Sequence, residues 1–150
     1  MLESFALRVR EFRLWAGNPS PGAAGCRETL TRLTALYSAA LELPPFWDKS
    51  PSEDFKDSEL DEKEVQRVVN AISQNLPIQF YWLMFEPHEQ PPEEPVAASL
   101  SQEIGEIYSD VVEGLLVYES GGAEEALFEW GESFHTHWGR HAVSAIHAIH

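Results

Sequence analysis

Apolar residues recur along most of this chain with a period near 3.6, the spacing that gives a helix one buried face. In residues 3–16 the repeat is Phe5, Val9, Phe12 and Ala16, with Arg8, Arg10 and Arg13 between them. A run rich in glycine and proline, residues 17–22, stops it. A second helix is predicted over 25–42, with Leu30, Leu33, Tyr37, Ala40 and Leu41 on one face and Pro44 and Pro45 beyond its end. A third spans 59–76. Asp61 and Glu64 stand there at capping spacing, and Val65, Val68, Val69, Ile72 and Leu76 form its stripe. The fourth starts at Ser99, with Gln102 in the capping-box position. It lines up Leu100, Ile104, Ile107, Tyr108, Val111, Leu115 and Tyr118 before Gly121 and Gly122 end it. The fifth opens with Glu124 and Glu125, whose charges suit the positive end of a helix dipole, and runs to the C-terminus.

Residues 77–98 break this rhythm. Pro77 and Pro87 bracket an aromatic stretch that includes Tyr81, Trp82 and Phe85. Such residues suit extended backbone, yet no second strand is evident, and a lone strand is unstable. The stretch 77–86 therefore reads as a buried extended connection, or a short helix wedged between others. Core packing is the default for its aromatics; a ligand pocket or a partner surface is the alternative. Residues 87–98 read as a Pro/Glu loop. The acidic connection over 46–60 carries Phe46, Trp47 and Phe55, which are expected to lie against the domain. The fold class is all-α: one domain over 1–150, about five helices, with the aromatic connection packed across them.

The chain's 150 residues suffice for one domain with a real core, and 43% apolar content argues against disorder. No apolar run is long enough to span a membrane. The start of the chain carries charges through its apolar stretch, so it does not read as a signal peptide. A single cysteine, Cys26, excludes an internal disulfide and fits a reducing compartment, so a cytoplasmic location is expected. The net charge of −15 repels nucleic-acid phosphate and anionic lipid. Direct nucleic-acid binding and membrane association are thus not expected. Acidic solubility is the ordinary reading of such charge; a docking surface for a basic protein, or a nucleic-acid mimic, is the sharper one.

Candidate chemistry gathers near the end of the chain. On a wheel of about 100° per residue, Leu127, Phe134, Trp138, Ala145 and Ile149 centre the stripe of helix five. His141 falls beside Trp138, His137 falls near Trp130, and His147 points away. On helix four, Glu103 and Asp110 edge the stripe, Glu106 lies further toward solvent and Tyr108 sits within it. A short Gly-Gly turn makes the two helices antiparallel neighbours, which sets carboxylates beside imidazoles. The candidate polar cluster is therefore Glu103, Glu106, Tyr108, Asp110, Trp130, His137, Trp138 and His141. Two histidines at i and i+4 can ligate a metal from one helix face, with carboxylates completing the shell. They can equally be imidazoles whose hydrogen bonds are satisfied by those carboxylates. No glutamate stands between them in the zinc-protease pattern H-E-x-x-H, so no metal or other cofactor is assigned. Glu132 and His135 match the E-x-x-H of di-metal bundles, but the second copy that such sites need is missing. Cys26 has no local partner that would make it a nucleophile. No catalytic residue is assigned.

The segments Ser99–Asp110 and Trp130–Ala142, with His137-Trp138-Gly139-Arg140-His141-Ala142 at the centre, resemble a bacterial family of uncharacterised proteins, domain of unknown function 5063. The likeness is good over residues 60–150 and loose over the N-terminal half. Members carry acidic residues where Gln102 and Glu103 stand, so Gln102 departs from the pattern. The resemblance implies an all-helical fold and a cytoplasmic location, and it carries no activity. The leading reading is a non-enzymatic binding or interaction module with an acidic surface and a protein partner. The alternative is a metal- or small-ligand-binding helical protein, with an enzyme among its forms, built on His137, His141, Glu103 and Asp110.

Overall fold

The computed structural model describes residues 1–47 and 60–150. Helix α1 covers Leu2–Ala16, α2 Gly22–Leu41 and α3 Glu62–Asn75. Strands β1 (Phe80–Leu83) and β2 (Val96–Ser99) follow, then α4 (Leu100–Glu119). The rest is α5 (Ala123–Ser133), a π-helical turn (Phe134–Trp138) and α6 (Gly139–Ile149), continuous with one another. The structure is predominantly helical, as the periodicity predicts, and the expected fifth helix is this continuous rod.

The helix boundaries follow local chemistry. Asp61 caps α3 by accepting from the Lys63 backbone N–H at 2.9 Å, leaving Glu64 free to reach elsewhere. Ser99 accepts from Gln102 N–H at the start of α4. The turn into α5 is made by Gly121, whose φ of +100° suits only glycine without strain. In α1 the predicted stripe of Phe5, Val9, Phe12 and Ala16 is fully buried. In α2 the face is shifted: Thr29, Leu33, Leu36 and Ala40 are buried, whereas Leu41 is exposed and lies off the stripe.

Helix α4 is central and packs against α1, α3, α5 and α6. Two of its glycines let neighbours approach closely. A Cβ on Gly105 would meet a Val69 methyl carbon at 2.6 Å, and one on Gly114 would enter the Trp130 indole. Trp130 and Trp138 are both wholly buried. Phe5 lies 4.9 Å from the Trp130 ring and 6.4 Å from Trp138, so α1 seats between the two indoles. Trp130 Nε1 donates to the Val111 carbonyl at 2.9 Å, which fastens α5 to α4.

The aromatic connection differs from its predicted form. Residues 80–83 do have a partner strand: Phe80 faces Ser99, Tyr81 Ala98, Trp82 Ala97 and Leu83 Val96, antiparallel. The partner lies hidden in the tail of the Pro/Glu loop, because Val-Ala-Ala-Ser has little strand propensity and pairs only by proximity. Nor is the stretch buried, since Phe80, Trp82 and Phe85 are exposed. Phe46 is buried as expected, with its ring over Gly131, whereas Trp47 is exposed. The expectation for Phe55 lies outside the described residues. No helix among the described residues is long and apolar enough to cross a membrane.

Candidate functional site

Two imidazole–carboxylate pairs bridge α4 and the rod that follows it. His137 Nδ1 lies 2.7 Å from Asp110 Oδ2, and His141 Nδ1 lies 2.6 Å from Glu103 Oε2. Seven residues of α4 span about 10.5 Å, whereas four residues of the histidine helix span about 6 Å. The carboxylates therefore lean inward to meet the rings, and the rings themselves touch edge to face at 4.6 Å. A carboxylate can only accept, so each Nδ1 carries its proton and donates it. The remaining ring nitrogen, Nε2, is left for another partner.

Burial is uneven across the cluster. Glu103, Asp110 and His141 are largely covered, whereas His137 is open to solvent. The Glu103 hydrogen bond raises the His141 pKa above the ordinary histidine value; burial opposes this, and the charges of Glu103, Glu106 and Asp110 add to it. Burial also lifts Asp110 above the usual carboxylate range, against the pull of His137. The Tyr81 hydroxyl, buried beside Glu103 but outside hydrogen-bond geometry, is held well above the ordinary tyrosine value by burial first and by that carboxylate second.

The π-turn places this pair of rings. A wider turn than the α-helix rotates everything beyond it, and such turns recur at functional sites. His141, which a plain helix would set beside Trp138 within the apolar stripe, faces Glu103 instead. The π-turn also explains Gly139. A Cβ there would strike the Phe134 carbonyl and come within 3.1 Å of the Phe134 ring.

The eight predicted cluster residues do not all meet. Glu103, Asp110, His137 and His141 come together. Glu106 stands exposed on α4 near them. Tyr108 turns to the other side, where it donates to Glu64 at 2.5 Å, and Arg13 grips the same carboxylate with two hydrogen bonds. Trp130 and Trp138 serve the core. His135 stacks on Phe46 and Trp47, away from the pairs. Cys26 is half-buried against the core.

A groove of about 560 Å³ opens where the pairs reach the surface. Its walls include Leu83, Phe85, Phe134 and Val143, with Glu103, His137 and His141 at one side. His88, His135 and Arg140 also border it, so four of the chain's six histidines line one groove. Arg140 is tied to Glu86 at 3.0 Å. Sequence patterning did not reveal Phe85, His88 and Arg140 as neighbours of the pairs. Their meeting depends on how the hairpin folds over α6, and a Pro/Glu loop has no periodicity that would disclose it. Among the described residues, no three or more His, Cys, Asp or Glu side chains are placed to hold a metal ion.

The fold is shared with a solved protein. The crystal structure of protein BF1032 from Bacteroides fragilis, a structural-genomics target, superposes with a TM-score of 0.78 at 20% identity, covering 98% of this chain and 88% of that one. A comparison with curated proteins finds no match. The resemblance read from Ser99–Asp110 and from Trp130–Ala142 extends through the N-terminal half as well: residues 2–150 match the family model described as Domain of unknown function (DUF5063), and the chain belongs to that family.

Proposed function

We propose that this protein is a non-enzymatic binding module whose groove takes a small molecule with an apolar body and one anionic, hydrogen-bond-accepting head. The observation that carries this reading is the doubled pair: two adjacent imidazoles, each held at Nδ1 by a largely covered carboxylate, leave two Nε2 atoms for a ligand. A ring held in this way loses little freedom on binding. The Glu103 hydrogen bond raises the His141 pKa, which favours the protonated ring, in which Nε2 is a donor as well. The groove's size falls within the roughly 300–1,000 Å³ usual for small-ligand sites, and its apolar walls supply the contact area. Four imidazoles and the Arg140 guanidinium line the groove, with its two carboxylates, Glu86 and Glu103, already paired to Arg140 and His141, so the donors left over suit an anionic group. Calorimetric titration with benzoate, phenylacetate and octanoate, each against its neutral amide, tests the reading. The expected result is saturable binding of an acid but not its amide, weakened at least tenfold in His137→Gln/His141→Gln. Equal affinity for acid and amide, or an unchanged affinity in the double variant, would refute it.

A second reading draws on the same geometry. Histidine ligands to metals commonly donate their other ring N–H to a carboxylate, as both rings do here. Two histidines without a third protein ligand hold zinc only weakly. The same calorimeter separates the readings: zinc chloride binding, abolished in the double variant, would favour the metal.

A further inference from the structure

The hairpin has a second face that the groove does not use. Strand alternation turns Tyr81 and Leu83 inward, half-buried, and sends Phe80 and Trp82 outward. Across the ladder from Phe80 and Trp82 stand Ser99 and Ala97, too small to cover them. Phe80 is consequently 71% exposed and Trp82 75%. Exposed single apolar residues are ordinary, but two large aromatics side by side on a sheet face mark an interaction surface. The loop joining the strands is acidic. Glu89, Glu93 and Glu94 are exposed on it, and Glu86 is tied to Arg140.

We infer that this face docks a basic, apolar-bearing segment of a partner protein. Charge complementarity selects the occupant. A second copy would bring the same acidic loop, and another net charge of −15, against the first. Nucleic acid and anionic membrane are repelled by the same field. A segment carrying arginine or lysine among apolar residues satisfies both halves of the surface. Its cations pair with the loop carboxylates and lie over the open Trp82 ring, and its apolar side chains cover Phe80. This inference is independent of the ligand reading of the groove.

The test is fluorescence anisotropy with two labelled octapeptides of equal charge, one alternating arginine and leucine, the other arginine and glycine. The parent is compared with Phe80→Ser/Trp82→Ser, with Glu89→Gln/Glu93→Gln/Glu94→Gln, and with a control lacking three exposed carboxylates elsewhere, Glu42→Gln/Glu62→Gln/Glu132→Gln. All changed side chains are exposed, so unaltered melting confirms that each variant is folded. The parent should bind the arginine–leucine peptide at least tenfold more tightly than the arginine–glycine peptide. The aromatic variant should erase that preference, and the loop variant should weaken binding at least fivefold more than the control. The inference fails if the aromatic variant keeps the preference or if loop and control variants lose equally. It also fails if the parent runs as a dimer that Phe80→Ser/Trp82→Ser dissociates, since the occupant is then a second copy.

Discussion

Trp138 is wholly buried, with the Phe134 ring 4.9 Å away and the Phe5 ring 6.4 Å away. Trp138→Ala should cost about 3–5 kcal/mol, a large part of a typical stability of roughly 5–15 kcal/mol. Its indole N–H has no hydrogen-bond partner among the described residues, so Trp138→Phe should cost much less than alanine. Denaturant titration of the three proteins checks both statements. Gly139 is a sharper case. Glycine in a helix interior normally costs about 1 kcal/mol relative to alanine, so Gly139→Ala would be stabilising in a plain helix. Here the added Cβ meets the Phe134 carbonyl, which the π-turn holds in place. Gly139→Ala should therefore lower the melting temperature and Gly139→Leu should lower it further. The need for glycine is legible from its position between Trp138 and Arg140. Its neighbour is not: the contact is with Phe134, five residues back in the same rod, which only a π-turn brings so close.

The pairing of α4 with the histidine helix makes stability depend on pH. The His141 pKa is raised in the folded state, chiefly by Glu103. Its contribution is thus fully present below the unfolded value of about 6.5 and is lost as pH rises through the folded value. Asp110, raised by burial, adds the same sign from its own ordinary value of about 3.9 upward. Unfolding free energy measured from about pH 5.5 to 8.5 should fall with rising pH, and the fall should flatten in His141→Gln. A metal-bound histidine would behave in the opposite sense, because protons compete with the ion. Repeating the series with chelator should change nothing if the carboxylates alone satisfy the rings. This arrangement was readable before the fold: Glu103 and Asp110 two turns apart, His137 and His141 one turn apart, and a tight glycine turn between the helices. The strand pair was not, since β2 draws its conformation from β1 rather than from its own residues.

At the scale of the whole molecule, 25 acidic residues against 10 basic ones leave a large self-repulsion. The ion pairs of Arg8, Arg10, Arg13, Arg32 and Arg140 offset only part of it, and most are exposed. Salt shortens the reach of both effects, to about 10 Å at 0.1 M, but the uncompensated charges outnumber the paired ones. The melting temperature should therefore rise between about 20 and 300 mM sodium chloride, as scanning calorimetry can follow. A fall would show that the pairs, above all the Arg13–Glu64–Tyr108 network, outweigh the repulsion.

The order of helices, most of their buried faces and the setting of two carboxylates and two histidines on facing helices follow from periodicity and a short glycine turn, because a helix repeats every 3.6 residues whatever packs against it; the π-turn set the final aim of the rings. Family membership was legible too, in the contiguous His137–Ala142 segment. Tertiary structure decided the rest. Tyr108 lies across α4 from Glu103 and Asp110, roughly 140–160° round the helix at 100° per residue, and bonds Glu64 of α3; periodicity separates it from the carboxylates, but only packing names its partner. Phe80 and Trp82 face solvent because a hairpin offers one face to the core and must leave the other uncovered. The groove exists only where that hairpin's loop meets the π-turn, two segments some fifty residues apart that no local pattern connects.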